Sequence, residues 1–89
     1  MDIEYDHNKD TSNLLKHGVS LADAAAIDWS TLWVYQDLRF NYGEFRYTGI
    51  GFIEQRLYCV IYTNRGERRR IISLRKANKR EVKIYVLNH

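Results

Sequence analysis

The segment Arg65–Lys83, RGERRRIISLRKANKREVK, constrains the fold more than any other part of the chain. It holds nine of the 14 Lys and Arg residues and only two acidic residues, around the apolar pair Ile71-Ile72. A strand with this pattern buries one face and directs arginines at something anionic, of which a phosphate backbone is the simplest example. Asn78 and Glu81 then form a cap signature, which predicts a turn followed by a terminal helix.

Length and composition set the class of protein. The 89 residues, 45% hydrophobic and 28% charged, predict a single globular domain over residues 1–89. The longest apolar run, Leu57–Tyr62, is too short to cross a bilayer, and the acidic start MDIEYD is unlike a secretory signal. A cytoplasmic location without membrane contact is therefore expected. The single cysteine, Cys59, is predicted to pack as a small hydrophobe.

Charge is segregated along the chain. Residues 1–37 carry two basic and seven acidic side chains, a balance of −5, whereas residues 38–89 carry twelve and four, a balance of +8. If the fold keeps this separation in space, the C-terminal half forms a positive face that attracts nucleic acid. Simple solvation is the better interpretation for the scattered Arg39 and Arg56, but the eight basic residues from Arg65 to Arg80 are too dense for it.

Local signals predict two helices near the N-terminus. Asp6 is a predicted N-cap for a helix that begins at His7, runs to Lys16 or His17 and ends at Gly18. Ser20 and Asp23 resemble a capping box that opens a second helix ending near Trp29. Before them, Ile3-Glu4-Tyr5 alternates apolar and acidic residues and could form a short edge strand.

Four strands are predicted to follow, and the last alternates in a way that matters for function. Strict alternation places Arg70, Ile72 and Leu74 on one face of that strand and Ser73 with Arg75 on the other. In the second strand, Gly49 and Gly51 indicate a bulge or a close approach of another group. The predicted strands are Thr31–Gln36, Phe45–Ile53, Arg56–Thr63 and Arg68–Arg75. The fold class is thus α+β: two N-terminal helices, a four-stranded antiparallel sheet with one face free, and a C-terminal helix.

Three separated motifs resemble the BrnT family. They are Asp6-x-x-Lys9-x-x-x-Asn13-x-x-Lys16-His17-Gly18-Val19-Ser20, Gly43-Glu44-x-Arg46 leading to Ile50-Gly51, and Thr63-x-Arg65-Gly66 followed by Arg70-Ile71-Ile72-Ser73-x-Arg75-x-Ala77-x-x-x-Glu81. Leu74 departs from the small residue usual in the family, and we expect a packing adjustment because it lies opposite Ser73 and Arg75. Arg69 stands where the family often has an aliphatic residue.

The resemblance implies a toxin of a type II toxin–antitoxin pair. Its expected fold is RelE-like, and its expected activity is metal-independent endoribonuclease cleavage of RNA without a cofactor, which inhibits translation and growth. The expected partner is a BrnA-type antitoxin with a ribbon-helix-helix domain, through which the complex contacts operator DNA. An acidic or amphipathic antitoxin segment is predicted to lie across Arg70, Arg75 and Lys79.

Cleavage without a metal needs a base for the 2′-hydroxyl, positive charge at the phosphate and an acid for the 5′-oxygen. Arg75 and Arg70 are the predicted phosphate ligands, because guanidinium binds two oxygens and stays charged. Alternation puts them on opposite faces, so both reach one phosphate only if a bulge or strand end intervenes. Convergence of the two guanidiniums, rather than pairing of each with its own carboxylate, is therefore expected.

Acid and base assignments remain open. His17 could serve in either role or could be an imidazolium stabilised by the helix C-terminus. Glu44 could be a base or simply the ion-pair partner of Arg46, and Lys9 stands out only through its motif. Tyr85 is expected in the core and Glu81 in a cap. The candidate RNA-binding residues are Arg46, Arg65, Ser73, Lys76 and Lys79.

Other chemistries lack support in the sequence. It contains no closely spaced metal-ligand set, since His7, His17 and His89 are scattered, and it contains no common nucleotide-binding loop. Two non-enzymatic functions stay open: a module that binds nucleic acid without cutting it, and a basic module that docks an acidic partner.

Overall fold

In a computed structural model, which describes residues 2–89, five strands form one sheet flanked by helices. The strand order is β1-β5-β4-β3-β2; β1 runs parallel to β5, and the remaining neighbours are antiparallel. The elements in chain order are β1 (Asp2–Glu4), α1 (His7–His17), two 3₁₀ helices (Leu21–Ala26 and Trp29–Thr31), β2 (Trp33–Asp37), β3 (Arg46–Ile53), β4 (Arg56–Arg65), β5 (Arg68–Lys76) and α2 (Lys79–Leu87).

Helix α1 begins and ends as predicted. The Asp6 carboxylate accepts a hydrogen bond from the Lys9 backbone N–H at 3.0 Å, so it is the N-cap. Gly18 adopts a left-handed conformation with φ of 72° and donates its N–H to the Leu14 carbonyl.

The second predicted helix and the strand number were wrong in detail. Residues Leu21–Ala26 form a 3₁₀ helix, in which the buried Leu21, Ala24 and the following Ile27 lie three residues apart and so share one side. Ser20 caps this helix, but its hydroxyl donates to the Asp10 carboxylate at 3.0 Å instead of forming the predicted capping box with Asp23. The sheet has five strands rather than four because β1 pairs with the outer edge of β5.

One face of the sheet is covered by α1 and the 3₁₀ helices. Val60 and Leu74 lie across from each other in β4 and β5, and both are fully buried against Leu21 and Ile27. Leu74 thus lies on the face away from Ser73, as predicted.

The opposite face is only partly free, because α2 covers one end of it. Ile50, Leu57 and Tyr85 form a second buried cluster there, with the Tyr85 ring edge-on to Phe52 at a centroid distance of 5.5 Å. The capping box of α2 is confirmed. The prediction of an entirely uncovered face was wrong, because the apolar side of a nine-residue helix needs sheet surface to pack on.

A bulge in β5 corrects the predicted alternation. Ile61 pairs with Ser73 and Tyr62 pairs with Ile71, so Ile72 is an extra residue without a partner in β4. An extra residue shifts the alternation of one strand by one position. Residues before Ile72 therefore lie on the face opposite to the one that a regular strand would give them relative to the residues after it.

Within residues 2–89, no helix is both long enough and apolar enough to cross a membrane.

Candidate functional site

The bulge brings three predicted site residues to one side of the sheet. These residues are Arg70, Ser73 and Arg75 of β5. Their partners in β4 are Thr63, Ile61 and Cys59, respectively. We call the sheet surface beyond α2 that these residues occupy the open face. Arg70 thus lies on the same face as Ser73 and Arg75, which was the condition stated for both arginines to reach one phosphate.

Arg75 is bound by a buried carboxylate. Its Nη1 and Nη2 atoms donate to the two oxygens of Glu81 at 2.7 and 2.8 Å. This bidentate hydrogen bonding raises the pKa of Arg75. Burial alone would raise the pKa of Glu81, but the bonds from Arg75 and from the Asn78 N–H outweigh it and leave that pKa below its usual range. Both groups are charged at neutral pH.

Arg70 is bound by a different carboxylate. Its Nη1 donates to Glu4 at 2.7 Å, and the two residues are register partners in β5 and β1. The expected convergence of Arg70 and Arg75 is therefore not observed, because each guanidinium is engaged by its own carboxylate. The assignment of both residues to catalysis stays a prediction.

Glu44 lies just before β3 and holds two arginines. Its carboxylate is 3.9 Å from Arg46 and 3.3 Å from Arg65. Arg46 also stacks on the Tyr42 ring at 4.0 Å, and its buried Nε has no hydrogen-bond partner among residues 2–89. This geometry favours the ion-pair interpretation of Glu44.

A small groove of about 210 Å³ runs between α1 and the bulge of β5. It brings together three of the predicted residues, Lys9, His17 and Ser73, with Lys16 beside them. Lys9 and His17 lie on either side of Asn13 on one face of α1, as their spacing predicted. The lining residues are Lys9, Ser12, Asn13, Lys16, His17, Ile72 and Ser73.

A larger open cleft, of about 530 Å³, lies between the end of β2, the open face and α2. Its residues include Arg75, together with Tyr35 and Asp37, which the sequence analysis did not name. Arg39 also lines the cleft; it was expected to be simply solvated, but it donates to both carboxylate oxygens of Asp37. Hydrogen bonds from Arg39 hold the pKa of the Asp37 carboxyl far below its usual range. The spacing Asp37-x-Arg39 was a local signal for this pair, but nothing local indicated the cleft. Its lining residues are Tyr35, Gln36, Asp37, Leu38, Arg39, Thr48, Cys59, Ile61, Arg75, Arg80 and Glu81.

Two predicted RNA ligands lie apart from these sites. Lys76 is the register partner of Tyr58, whose side chain packs on the covered core, so Lys76 lies on the face away from Arg75. Lys79 is exposed at the first position of α2.

The cysteine behaves as predicted. Cys59 is buried, and burial together with the nearby Glu81 charge raises its pKa to about 12, so the thiol is protonated at neutral pH. In the described part of the chain, no three His, Cys, Asp or Glu side chains lie together as a metal-binding group.

Comparison with known proteins gives the family. A family model described as "Ribonuclease toxin, BrnT, of type II toxin-antitoxin system" matches residues 5–81. No curated protein matches this chain. The matched region contains α1, all of β2 to β5 and the first turn of α2, and so includes the groove and the open face. The chain therefore belongs to the BrnT family of type II toxin–antitoxin ribonuclease toxins.

Proposed function

We propose that this chain is a metal-independent endoribonuclease that cleaves RNA to inhibit translation and growth, acts in the cytoplasm and is neutralised by a BrnA-type antitoxin. Family membership supports the ribonuclease class. The observation that carries the site is the β5 bulge at Ile72, because it joins Arg70, Ser73 and Arg75 on one face and borders the groove of α1.

The groove holds one candidate group for proton transfer together with several positive charges. In the proposed reaction, a base removes the 2′-hydroxyl proton, the 2′-oxygen bonds to phosphorus, the bond to the 5′-oxygen breaks, and an acid protonates that oxygen. His17 is the group we assign to one of these proton transfers, since a ring nitrogen of imidazole can accept or donate a proton. Lys9 and Lys16 add positive charge at the phosphate, and Ser73 offers a hydroxyl donor.

The arginines of the open face then bind neighbouring phosphates. Arg70 and Arg75 are five residues apart, which corresponds to roughly 15 Å along a strand. This spacing exceeds one phosphate and suits separate contacts along an RNA backbone. Glu44 and Arg46 lie on β3 or beside it and extend the charged surface; we assign Glu44 to orienting Arg46 and Arg65 rather than to proton transfer.

The antitoxin follows from the same surface. An acidic or amphipathic segment across Arg70, Arg75 and Lys79 would compete with RNA, and the ribbon-helix-helix domain of the antitoxin would bring the complex to operator DNA.

Cleavage of purified RNA in excess EDTA tests the proposal. We expect cleavage by the wild-type chain, a loss of about 100-fold or more for His17→Ala and for Arg75→Ala, and little change for the exposed Lys83→Ala. Full dependence on added Mg²⁺ would contradict the metal-independent mechanism.

A non-catalytic RNA-binding module is the second candidate, because Arg70 and Arg75 are each paired with a carboxylate, and Arg46 and Arg65 share that of Glu44. RNA binding without cleavage, at matched protein and RNA concentrations, would favour it. Weak RNA binding combined with a protein partner that stays bound in high salt would instead favour a docking module.

A further inference from the structure

We propose that Glu81 is a positioning residue, which fixes the Arg75 guanidinium so that one pair of its N–H groups faces an RNA phosphate. The inference rests on the RNA-binding part of the proposed function and adds a role for Glu81 beyond capping α2.

The donors of Arg75 can be counted individually. A guanidinium has five N–H groups. Glu81 accepts one from Nη1 and one from Nη2, and the Lys76 carbonyl accepts a second from Nη1 at 3.3 Å. The Nε N–H and the second Nη2 N–H have no acceptor among residues 2–89. These two lie parallel on one edge of the guanidinium, which is the arrangement that binds two oxygens of a phosphate.

Glu81 is rigidly held, so the free edge of Arg75 has a defined direction. The Asn78 N–H donates to Glu81 at 2.9 Å, and the Glu81 N–H donates back to the Asn78 side chain at 2.8 Å. Glu81 is also only 6% exposed. A buried carboxylate fixed by its own helix terminus reduces the side-chain freedom that arginine would lose on binding RNA.

Glu4 and Arg70 form a natural comparison. Glu4 lies on the short edge strand β1 with 28% of its side chain exposed, and its carboxylate accepts a hydrogen bond from Arg70 alone among the described residues. The Arg70 guanidinium is thus held by a less constrained partner. We assign the positioning role to Glu81 and treat Glu4 as an ordinary ion-pair partner.

Glu81→Gln separates positioning from capping. Glutamine can accept the Asn78 N–H in a capping box, so α2 keeps its N-terminus. The negative charge and one strong acceptor are lost, which leaves Arg75 less neutralised and less constrained. A purely structural role for Glu81 would lower stability without changing how RNA binding depends on salt.

The experiment measures the Kd of a short single-stranded RNA at several salt concentrations, together with its cleavage kcat and KM. For Glu81→Gln we expect about threefold to tenfold tighter binding at low salt, and a slope of log K against log salt that is steeper by up to about 0.7. We also expect kcat to fall by about tenfold or more, because the phosphate is held in more than one orientation. Arg75→Lys, which lacks the two-donor edge, should lose kcat even with Glu81 intact.

Glu67→Gln is the matched control, since it removes the same charge from an exposed turn residue. The inference is overturned if Glu81→Gln and Glu67→Gln share the same Kd, salt slope and kcat, or if the wild-type chain does not bind RNA. It is also overturned if kcat and thermal stability fall in Glu81→Gln while the salt slope stays at the wild-type value. If the wild-type chain binds RNA without cutting it, the nuclease proposal fails, and the Kd and slope still decide the role of Glu81.

Discussion

The buried side chain of Asn13 joins three parts of the chain. Its amide nitrogen donates to the carbonyls of Val19 and Leu74, both at 2.8 Å, and its oxygen accepts from the Leu74 N–H at 3.2 Å. Strand β1 pairs only with Arg68–Arg70 of β5, so the outer edge at Leu74 lacks a neighbouring strand. Asn13 takes the place of that strand and satisfies backbone groups that burial would otherwise leave unpaired.

We expect Asn13→Ala to lower the free energy of unfolding by about 2–4 kcal/mol, because it leaves up to three buried backbone groups without partners. Urea unfolding followed by circular dichroism measures the change. Asn8→Ala, at an exposed position of the same helix, is the control and should change stability little. A loss below about 0.5 kcal/mol in Asn13→Ala would show that water replaces the amide.

At the scale of elements, the contact between β3 and the segment before β2 is unusually close. A Cβ built at Gly49 would lie 2.6 Å from Leu32 Cδ2 and 2.9 Å from its Cγ, and one at Gly51 would lie 2.7 Å from Leu32 Cδ1. The two glycines were predicted to mark a bulge or a close approach. The close approach is confirmed, and the group that fills the space is the side chain of Leu32.

Gly49→Ala should therefore destabilise the protein by about 1–3 kcal/mol through overpacking against Leu32. Shortening Leu32 to alanine removes the clashing atoms, so the double variant should lose less stability than the two single losses combined. A double-mutant cycle on denaturant unfolding measures this coupling, for which we expect about 1 kcal/mol. Additive losses would mean that Leu32 moves aside without cost.

Elements defined by neighbouring residues were predictable. Asp6 and Gly18 cap the two ends of α1, and Asn78 and Glu81 form the capping box of α2. Each capping residue lies within a few positions of the backbone groups that it binds. The β5 bulge was not predictable, because Ile72 fits a regular strand equally well and only pairing with β4 makes it extra. The same limit applied to the second helix, since short alanine-rich runs suit α and 3₁₀ geometry alike.

The candidate site was also predictable only in part. The shared face of Lys9 and His17 followed from helical spacing, whereas their position beside Ser73 depends on how α1 docks on β5. The Glu4–Arg70 pair could not be foreseen, because the two residues are 66 positions apart. Pairing over such a distance leaves no local signal in the sequence.

At the scale of the whole molecule, the net charge of +3 does not show that several of the arginines form ion pairs with carboxylates. Glu81 and Asp37 both have pKa values below their usual ranges in the folded chain. A lowered folded-state pKa contributes stability above the unfolded-state pKa, and that contribution is lost as pH falls through the folded-state value.

The melting temperature should therefore be nearly constant from about pH 7 to 5 and should fall below about pH 4, where unfolded carboxylates begin to bind protons. Glu81→Gln removes one of these groups and should reduce the fall, while Glu67→Gln should leave it unchanged. Calorimetry across this pH range measures the difference. Parallel profiles for wild type and Glu81→Gln would contradict a role for this carboxylate in acid unfolding.

The parallel pairing of β1 with β5 also bears on the order of assembly. Asp2–Glu4 are translated before Arg68–Arg70, yet they can pair with β5 only after those residues have been made. Until then the Arg70 guanidinium lacks its carboxylate, and α1 lacks the strand edge that Asn13 covers. Docking of β1 is thus a late step of synthesis, and the ion pair between Glu4 and Arg70 forms only with it.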